Sequence, residues 1–278
     1  MGKVILMVIA LAIIAGGAVV NRMTNKPEVA VEPTAEPTIE LTNSQLLDMR
    51  GPLTTTGAEV AYDQNTEGYY AAPTETGDYP GVVMMHEWWG LNDNIRAMAD
   101  ILASEGYRVL AVDLFDGEVA ATAQEAGSQV AALDQKEALA NMAAAKAYLI
   151  DQGAKKVASL GWCFGGGQSL QMAMADPKLS ATVIYYGQPA TDEAKLKHIT
   201  WPVLGIFGEA DQAIPVANAR AFQAALDQAG VENEFYFYPG VGHAFANPSG
   251  ASFAPAETKD AWAKTLDFLN KNLKGGMN

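Results

Sequence analysis

The only cysteine of the 278-residue chain lies in the segment GWCFGGG, residues 161–167. Gly161, Cys163 and Gly165 have the spacing of a Gly-x-Ser-x-Gly nucleophile elbow, with cysteine in the place of serine. Such an elbow is a tight turn between a strand and a helix, and the amide groups and dipole at the start of the helix stabilise a thiolate and an oxyanion. The pattern favours Cys163 as a nucleophile, and the alternative is a cysteine packed in a structural turn.

Two further residues could act together with this nucleophile. Asp211 follows a predicted strand in FGEADQAIP, and His243 follows the next one in PGVGHAFAN. Nucleophile, acid and histidine is the chain order of the α/β-hydrolases, in which the histidine moves the proton of the nucleophile and the acid orients the imidazole. His243 could instead be a hydrogen-bonded loop residue, and Asp211 could be the N-cap of the helix after Pro215. Glu209 is the alternative acid.

The segment HEWWGLN, residues 86–92, places a carboxylate at the end of another predicted strand. A carboxylate beside a thiol would hold the proton on sulfur, and a solvated loop charge is the alternative for Glu87. In an α/β-hydrolase this loop supplies one amide of the oxyanion hole, here Trp88, and the residue after the nucleophile, Phe164, supplies the other. His86 ends a buried strand and is predicted to be a packed supporting group.

Aromatic side chains near the ends of several predicted strands could line a substrate pocket. They are Trp88, Trp89, Trp162, Tyr185 and Tyr186. We predict that Trp89 and Tyr186 line the pocket, and packing inside the core is the alternative for all five.

A regular alternation of strands and helices positions these residues. After two short antiparallel strands, AEVAYDQ and EGYYAAP, strands are predicted at 81–87, 107–115, 156–162, 181–187, 203–209 and 234–240. Helices are predicted at about 92–106, 135–151, 165–176, 215–229 and 256–273, the second with Asp134 as its N-cap. Strands this continuously apolar predict a mostly parallel central sheet with helices on both faces, and with the residue order above an α/β-hydrolase fold. Loops at the carboxyl ends of such strands carry the functional site.

Composition and charge narrow the class of protein further. The chain is 49% apolar and has a net charge of −14, which disfavours nucleic acid and anionic membranes as partners. A single cysteine excludes an intramolecular disulfide and a cysteine-based metal site. His86, His198 and His243 are too widely spaced for a local metal-binding motif, and His198 is predicted to lie at the surface. We therefore predict no metal site, and we expect a monomer.

The first 49 residues are predicted to precede the folded domain, residues 50–278. Lys3 is followed by an unbroken apolar run, residues 4–20, whose length is at the lower limit for a membrane span and just above that of a signal-peptide core. Residues 1–26 are predicted to be a signal sequence or an N-terminal membrane anchor, so we expect an exported protein, either secreted or held at the membrane. Residues 27–49 are rich in Pro, Glu and Thr and are predicted to be an extended linker.

The chain resembles the dienelactone hydrolase family of α/β-hydrolases over roughly residues 57–272. The segments that carry the resemblance, in family order, are HEWWGLN, VDLFDG, GWCFGGG, YYG, FGEADQAIP and GHAFANP. The resemblance implies Cys163 as the nucleophile, Asp211 and His243 as its partners, and Glu87 as the carboxylate that contacts the resting thiol. It also implies hydrolysis of a small ester or lactone of the carboxymethylenebutenolide type, through an acyl-thioester intermediate and without a cofactor.

The chain departs from the family pattern at the arginines that bind a substrate carboxylate. Residues 109–155 contain no arginine, and Asn247 occupies the position of a family arginine shortly after the histidine. Asn247 is therefore a predicted pocket residue. The departure favours a different ester, lactone or thioester as the substrate, because an anionic substrate would meet a strongly acidic protein without its arginines.

Two hypotheses from other classes compete with a hydrolase. The first is a non-catalytic anchored binding domain that has kept the fold. The second is a redox-active thiol protein, which the absence of a second, resolving cysteine disfavours.

Overall fold

A computed structural model describes residues 49–63, 66–175 and 178–275. One eight-stranded sheet forms its centre, in the order β1-β2-β4-β3-β5-β6-β7-β8. Strand β2 pairs antiparallel with β1 and β4, and all other neighbours pair in parallel. The strands are β1 Thr55–Asp63, β2 Thr66–Pro73, β3 Gly81–Met85, β4 Arg108–Val112, β5 Val157–Trp162, β6 Ala181–Tyr185, β7 Val203–Gly208 and β8 Asn233–Tyr238. The predicted mostly parallel sheet is confirmed.

Helices cover both faces of the sheet. They are α1 Asp93–Ser104, α2 Ala123–Ala132, α3 Gln135–Asp151, α4 Phe164–Met174, α5 Glu193–Leu196, α6 Val216–Ala229 and α7 Pro255–Leu269, and a π-helical turn, Asn270–Lys274, follows α7. The five predicted helices are all present, and Asp134 is the N-cap of α3 as predicted. The sequence did not predict α2 and α5. Helix α2 buries a single residue, Ala126, so it has almost no apolar pattern, and a capping box between Thr122 and Glu125 marks its start.

Four adjacent strands of the sheet are buried along their whole length. Every residue of β3, β5, β6 and β7 is buried. Strands buried on both faces exclude water from the ladder and hold the carboxyl ends of the parallel strands in one row. The loops that follow β3, β5, β7 and β8 therefore meet at one edge of the sheet.

The predictions for residues 1–48, the signal sequence or membrane anchor and nearly all of the linker, lie outside the described residues. Within the described part of the chain, no helix is both long enough and apolar enough to cross a bilayer.

Candidate active site

Cys163 lies in the bend between β5 and α4, in a backbone conformation that residues with a side chain rarely adopt. Its φ is 53° and its ψ is −118°, in the strained region typical of a nucleophile elbow. A Cβ atom on Gly161 would collide with the carbonyl oxygen of Gly165, and one on Gly165 would collide with the carbonyl oxygens of Met85 and His86. The glycines of the motif are thus required for the close approach of strand and helix, as the sequence pattern predicts.

The thiol, the imidazole and a carboxylate form one hydrogen-bonded chain. His243 Nε2 lies 3.0 Å from Cys163 Sγ, and His243 Nδ1 lies 2.8 Å from Asp211 Oδ2. The second oxygen of Asp211 accepts hydrogen bonds from the N–H groups of Ala213 and Ile214, both at 2.8 Å. The Asp211 side chain is fully buried, so its position is fixed from both oxygens. The structure brings together the three residues that the sequence analysis selected from distant parts of the chain.

The structure does not support the alternatives for the acid. Helix α6 begins at Val216 with Pro215 as its N-cap, so Asp211 lies too early in the chain to cap it. Glu209 accepts a hydrogen bond from Arg220 at 2.8 Å, and both side chains are more than a third exposed. Asp211 is therefore the carboxylate that contacts His243.

The surroundings of His243 favour its charged form. Burial alone would lower the pKa of the imidazole, but the hydrogen bonds and charges of Asp211 and Cys163 raise that pKa to about 10. The ring of Tyr186 packs against the imidazole edge to face, with ring centroids 5.2 Å apart. A protonated imidazole beside a thiolate is the arrangement that activates a cysteine nucleophile.

Glu87 is buried, with 4% of its surface exposed, so the alternative of a solvated loop charge is wrong. Its Oε2 accepts a hydrogen bond of 2.5 Å from Asn247 Nδ2. Asn247 is held in turn through its own oxygen, which accepts from the Ser249 amide at 2.9 Å and from the Ser249 hydroxyl at 2.7 Å. Burial raises the pKa of Glu87 to about 7, although the charge of His243 and the hydrogen bond from Asn247 lower it.

The hydrogen bond of Glu87 differs from the one that the resemblance implies. Among the described residues its partner is Asn247, whereas the partner of Cys163 is His243. Asn247 thus couples Glu87 to the loop that carries His243, a contact between residues 160 positions apart that no local sequence signal reveals.

The two predicted oxyanion donors are the backbone amides of Trp88 and Phe164. Phe164 begins α4, and Trp88 lies in the loop after β3. Within the described residues, neither N–H donates a hydrogen bond to a protein acceptor. Their roles as oxyanion donors stay a prediction.

The predicted pocket residues lie in different environments. Trp89 is partly exposed and packs edge to face on Trp88, with ring centroids 5.1 Å apart. Tyr186 is fully buried against His243, and Asn247 is buried against Glu87. Contact of these residues with a substrate stays a prediction, and the contacts that the structure shows for the two buried ones are with other site residues. His198 is exposed, as predicted.

Within residues 49–63, 66–175 and 178–275, no group of three or more histidine, cysteine, aspartate or glutamate side chains is arranged to hold a metal ion.

The sheet order and the positions of Cys163, Asp211 and His243 define an α/β-hydrolase. Comparison with known proteins gives the family: the sequence model of the dienelactone hydrolase family matches residues 66–273. The chain belongs to the dienelactone hydrolase family, and it is a hydrolase that acts on ester or lactone bonds.

Individual relatives agree with this assignment. A protein of Saccharolobus solfataricus named "Putative carboxymethylenebutenolidase" is 29% identical over 69% of this chain and 90% of its own length. "Protein usf" of Aquifex pyrophilus is 30% identical over 78% of this chain and 99% of its own length. The crystal structure of a "Putative Dienelactone Hydrolase" from Klebsiella pneumoniae has the same fold, with a TM-score of 0.73, 24% identity, and coverage of 78% of this chain and 99% of that one.

Proposed function

We propose that the protein hydrolyses a small carboxylic ester or lactone, of the carboxymethylenebutenolide type or a related one, with Cys163 as the nucleophile. The observation that carries the proposal is the continuous chain from Cys163 Sγ through His243 to the buried carboxylate of Asp211, with contacts of 3.0 and 2.8 Å. A thiol, a base and an orienting acid in hydrogen-bond contact are the parts that nucleophilic catalysis requires.

Acylation starts from a thiolate–imidazolium pair, in which the proton of the Cys163 thiol is held on His243 Nε2 and Nδ1–H of the imidazole donates to Asp211. The thiolate attacks the carbonyl carbon, forming a C–S bond and an oxyanion that the N–H groups of Trp88 and Phe164 stabilise. When the oxyanion collapses, the ester C–O bond breaks and His243 gives its proton to the leaving oxygen. The product of this half-reaction is an acyl thioester on Cys163.

Deacylation reverses these roles with water as the nucleophile. Neutral His243 accepts a proton from water as the water oxygen attacks the thioester carbonyl, and the C–S bond then breaks. The carboxylic acid leaves, and the thiolate–imidazolium pair forms again. The complete cycle consumes one water molecule for each ester bond and requires no cofactor.

The charges around the site favour an uncharged substrate over an anionic one. Burial raises the pKa of Glu87 to about 7, so this carboxyl is partly ionised at neutral pH and becomes fully ionised only at higher pH. Among the described residues, no lysine or arginine forms a hydrogen bond or ion pair with Glu87, Cys163 or Asn247. The whole chain adds a net charge of −14. The net charge and an ionised Glu87 would disfavour a substrate carboxylate, and the imidazolium of His243, itself paired with Asp211, would be the opposing charge.

The test compares Cys163→Ala with the intact protein on uncharged aryl esters, a neutral lactone and an anionic dienelactone. We expect the variant to lose at least about 1000-fold in kcat/KM, because removal of a nucleophile leaves only binding and oxyanion stabilisation. We expect the intact protein to prefer the uncharged substrates. Mass spectrometry should detect a thioester on Cys163 during turnover. Full activity of Cys163→Ala would refute the nucleophile, and absence of activity in the intact protein on all substrates would favour a binding domain.

A further inference from the structure

We propose that His86 is a positioning residue that aims the Trp88 amide at the oxyanion. The proposal rests on the proposed function, since it requires an oxyanion to form at Cys163. It concerns a histidine that takes no part in the proton transfers described above.

The two ring nitrogens of His86 have different partners, which fix its tautomer. The side chain is fully buried, and the N–H of Leu114 donates to its Nε2 at 3.1 Å. An atom that accepts from an N–H carries no proton itself, so in the neutral ring the proton is on Nδ1. Nδ1–H then donates to the carbonyl oxygen of Glu87 at 2.5 Å. Burial lowers the pKa of His86, which keeps the ring neutral and preserves this pattern.

The bond to the Glu87 carbonyl determines the direction of the next amide. The Glu87 carbonyl and the Trp88 N–H belong to one trans peptide plane, in which C=O and N–H point in opposite directions. With the carbonyl held toward His86, the Trp88 N–H points to the opposite side. The same carbonyl accepts a second hydrogen bond from the Gly90 amide at 3.3 Å. Hydrogen bonds to a carbonyl polarise the peptide unit and make its N–H a stronger donor.

The same ring also contacts the second segment of the oxyanion hole. His86 stacks on Phe164, with ring centroids 5.9 Å apart and an angle of 23° between the planes. Gly165, the next residue, lies directly against the carbonyl oxygens of Met85 and His86. One side chain therefore touches both peptide segments whose amides would bind the oxyanion.

A purely structural histidine is the competing explanation, and the experiment must separate the two. Iodoacetamide alkylates Cys163 in one displacement of iodide and forms no oxyanion at a carbonyl, whereas hydrolysis of p-nitrophenyl acetate does form one. The ratio of the two rates, each expressed per titrated native thiol, therefore reports on the oxyanion hole independently of the amount of folded protein and of thiol activation.

Three variants separate the contacts of His86. His86→Phe keeps a flat ring on Phe164 and removes both hydrogen bonds. His86→Gln can still accept from Leu114 but lacks a donor at the position of Nδ1, and His86→Asn keeps a donor at that position. We expect His86→Phe and His86→Gln to lose about 10- to 100-fold in kcat with little change in KM and alkylation within about twofold of the intact protein. We expect His86→Asn to recover most of the loss.

The outcomes are distinct. An equal fall in hydrolysis and alkylation, an unchanged ratio in both His86→Phe and His86→Gln, or a His86→Asn variant no better than His86→Gln would overturn the positioning role. Failure of the proposed function is read separately, from the Cys163→Ala variant. If that variant keeps its hydrolysis, the nucleophile is wrong whatever the His86 variants show.

Discussion

Two loops at the same edge of the sheet each carry a buried or partly buried histidine, and their electrostatics are opposite. The loop after β3 carries His86, whose partners are a backbone N–H and a backbone carbonyl, and burial lowers its pKa. The loop after β8 carries His243, whose partners are Asp211 and Cys163, and they raise its pKa to about 10. Burial acts in the same direction on both rings. The two rings differ in both respects: His86 is the more buried and bonds to backbone groups, whereas His243 is partly exposed and bonds to a carboxylate and a thiol, which outweigh its burial.

Glu87 extends this contrast along the first loop. Its burial raises the pKa of the carboxyl to about 7, in the direction of the neutral form, as burial also favours neutral His86. In the loop after β3, burial thus favours the neutral forms of both side chains, and the proposed contribution of this loop to catalysis is the backbone amide of Trp88. The β8 loop holds the imidazole that must gain and lose a proton. The division matches the two requirements of the proposed chemistry, a fixed dipole for the oxyanion and a mobile proton at the nucleophile.

The largest expected effect comes from removing the carboxylate that distinguishes the two histidines. We expect Asp211→Asn to lower kcat/KM about 1000-fold, because a neutral amide no longer stabilises the imidazolium or fixes its tautomer. The alkaline limb of the pH profile, governed by His243 with its pKa near 10, should move to lower pH. Glu209→Gln is the matched control, because Glu209 bonds to Arg220 and is exposed. If the alkaline limb of the pH profile stayed at the same pH in Asp211→Asn, Asp211 would not be the group that raises the pKa of His243.

The sequence predicts much of the candidate site at the carboxyl ends of the strands. Local sequence patterns indicate both the strands and the polar residues that follow them. Cys163 is found from its glycines, and Asp211 and His243 are found because each lies in the loop just after a strongly apolar or aromatic strand. Parallel strands bring their carboxyl ends together whatever their distance along the chain, so the meeting of these three residues follows from the fold class alone.

Contacts that depend on the exact packing of loops could not be predicted. The sequence places Glu87 beside the thiol through the family resemblance, but the structure pairs it with Asn247. The link from His86 to the Leu114 amide crosses between neighbouring strands and has no sequence pattern, because backbone amides are donors in every residue. Helix α2 was missed because its one buried residue gives no periodicity.

The second substitution, at Glu87, tests how the buried carboxyl in the loop after β3 affects the stability of the fold. A carboxyl whose pKa rises on folding, from 4.5 to about 7 for Glu87, stabilises the fold at low pH and loses this contribution as the pH rises through 7. We therefore expect Glu87→Gln to have a higher free energy of unfolding than the intact protein at pH 8, by up to about 3 kcal/mol. The difference should shrink toward zero at pH 4, where the carboxyl is protonated in the folded state and largely protonated in the unfolded state.

Urea unfolding at pH 4, 6 and 8 measures this difference. Glu75→Gln is a control for loss of a charge alone, because Glu75 is exposed, and it should change the free energy of unfolding by less than about 0.5 kcal/mol at each pH. If the difference in the free energy of unfolding between Glu87→Gln and the intact protein did not depend on pH, the pKa of Glu87 would not be raised in the folded state. The gain in stability would be an example of the stability that functional sites give up.

The smallest effect concerns the residue packed on His243, and two neighbouring tyrosines provide a matched pair. Both are fully buried, but the Tyr185 hydroxyl bonds to Thr265 at 2.6 Å, whereas the Tyr186 hydroxyl has no partner with good hydrogen-bond geometry among the described residues and only a weak contact with the backbone of Ala246. We expect Tyr185→Phe to lower the free energy of unfolding by about 1 kcal/mol and Tyr186→Phe to raise it by up to about 1 kcal/mol. Thermal or urea unfolding measures both. Because the phenyl ring of the Tyr186→Phe variant would still pack on the imidazole, its kcat/KM should stay within about threefold of the intact protein. A larger fall would assign the hydroxyl itself a role beside His243.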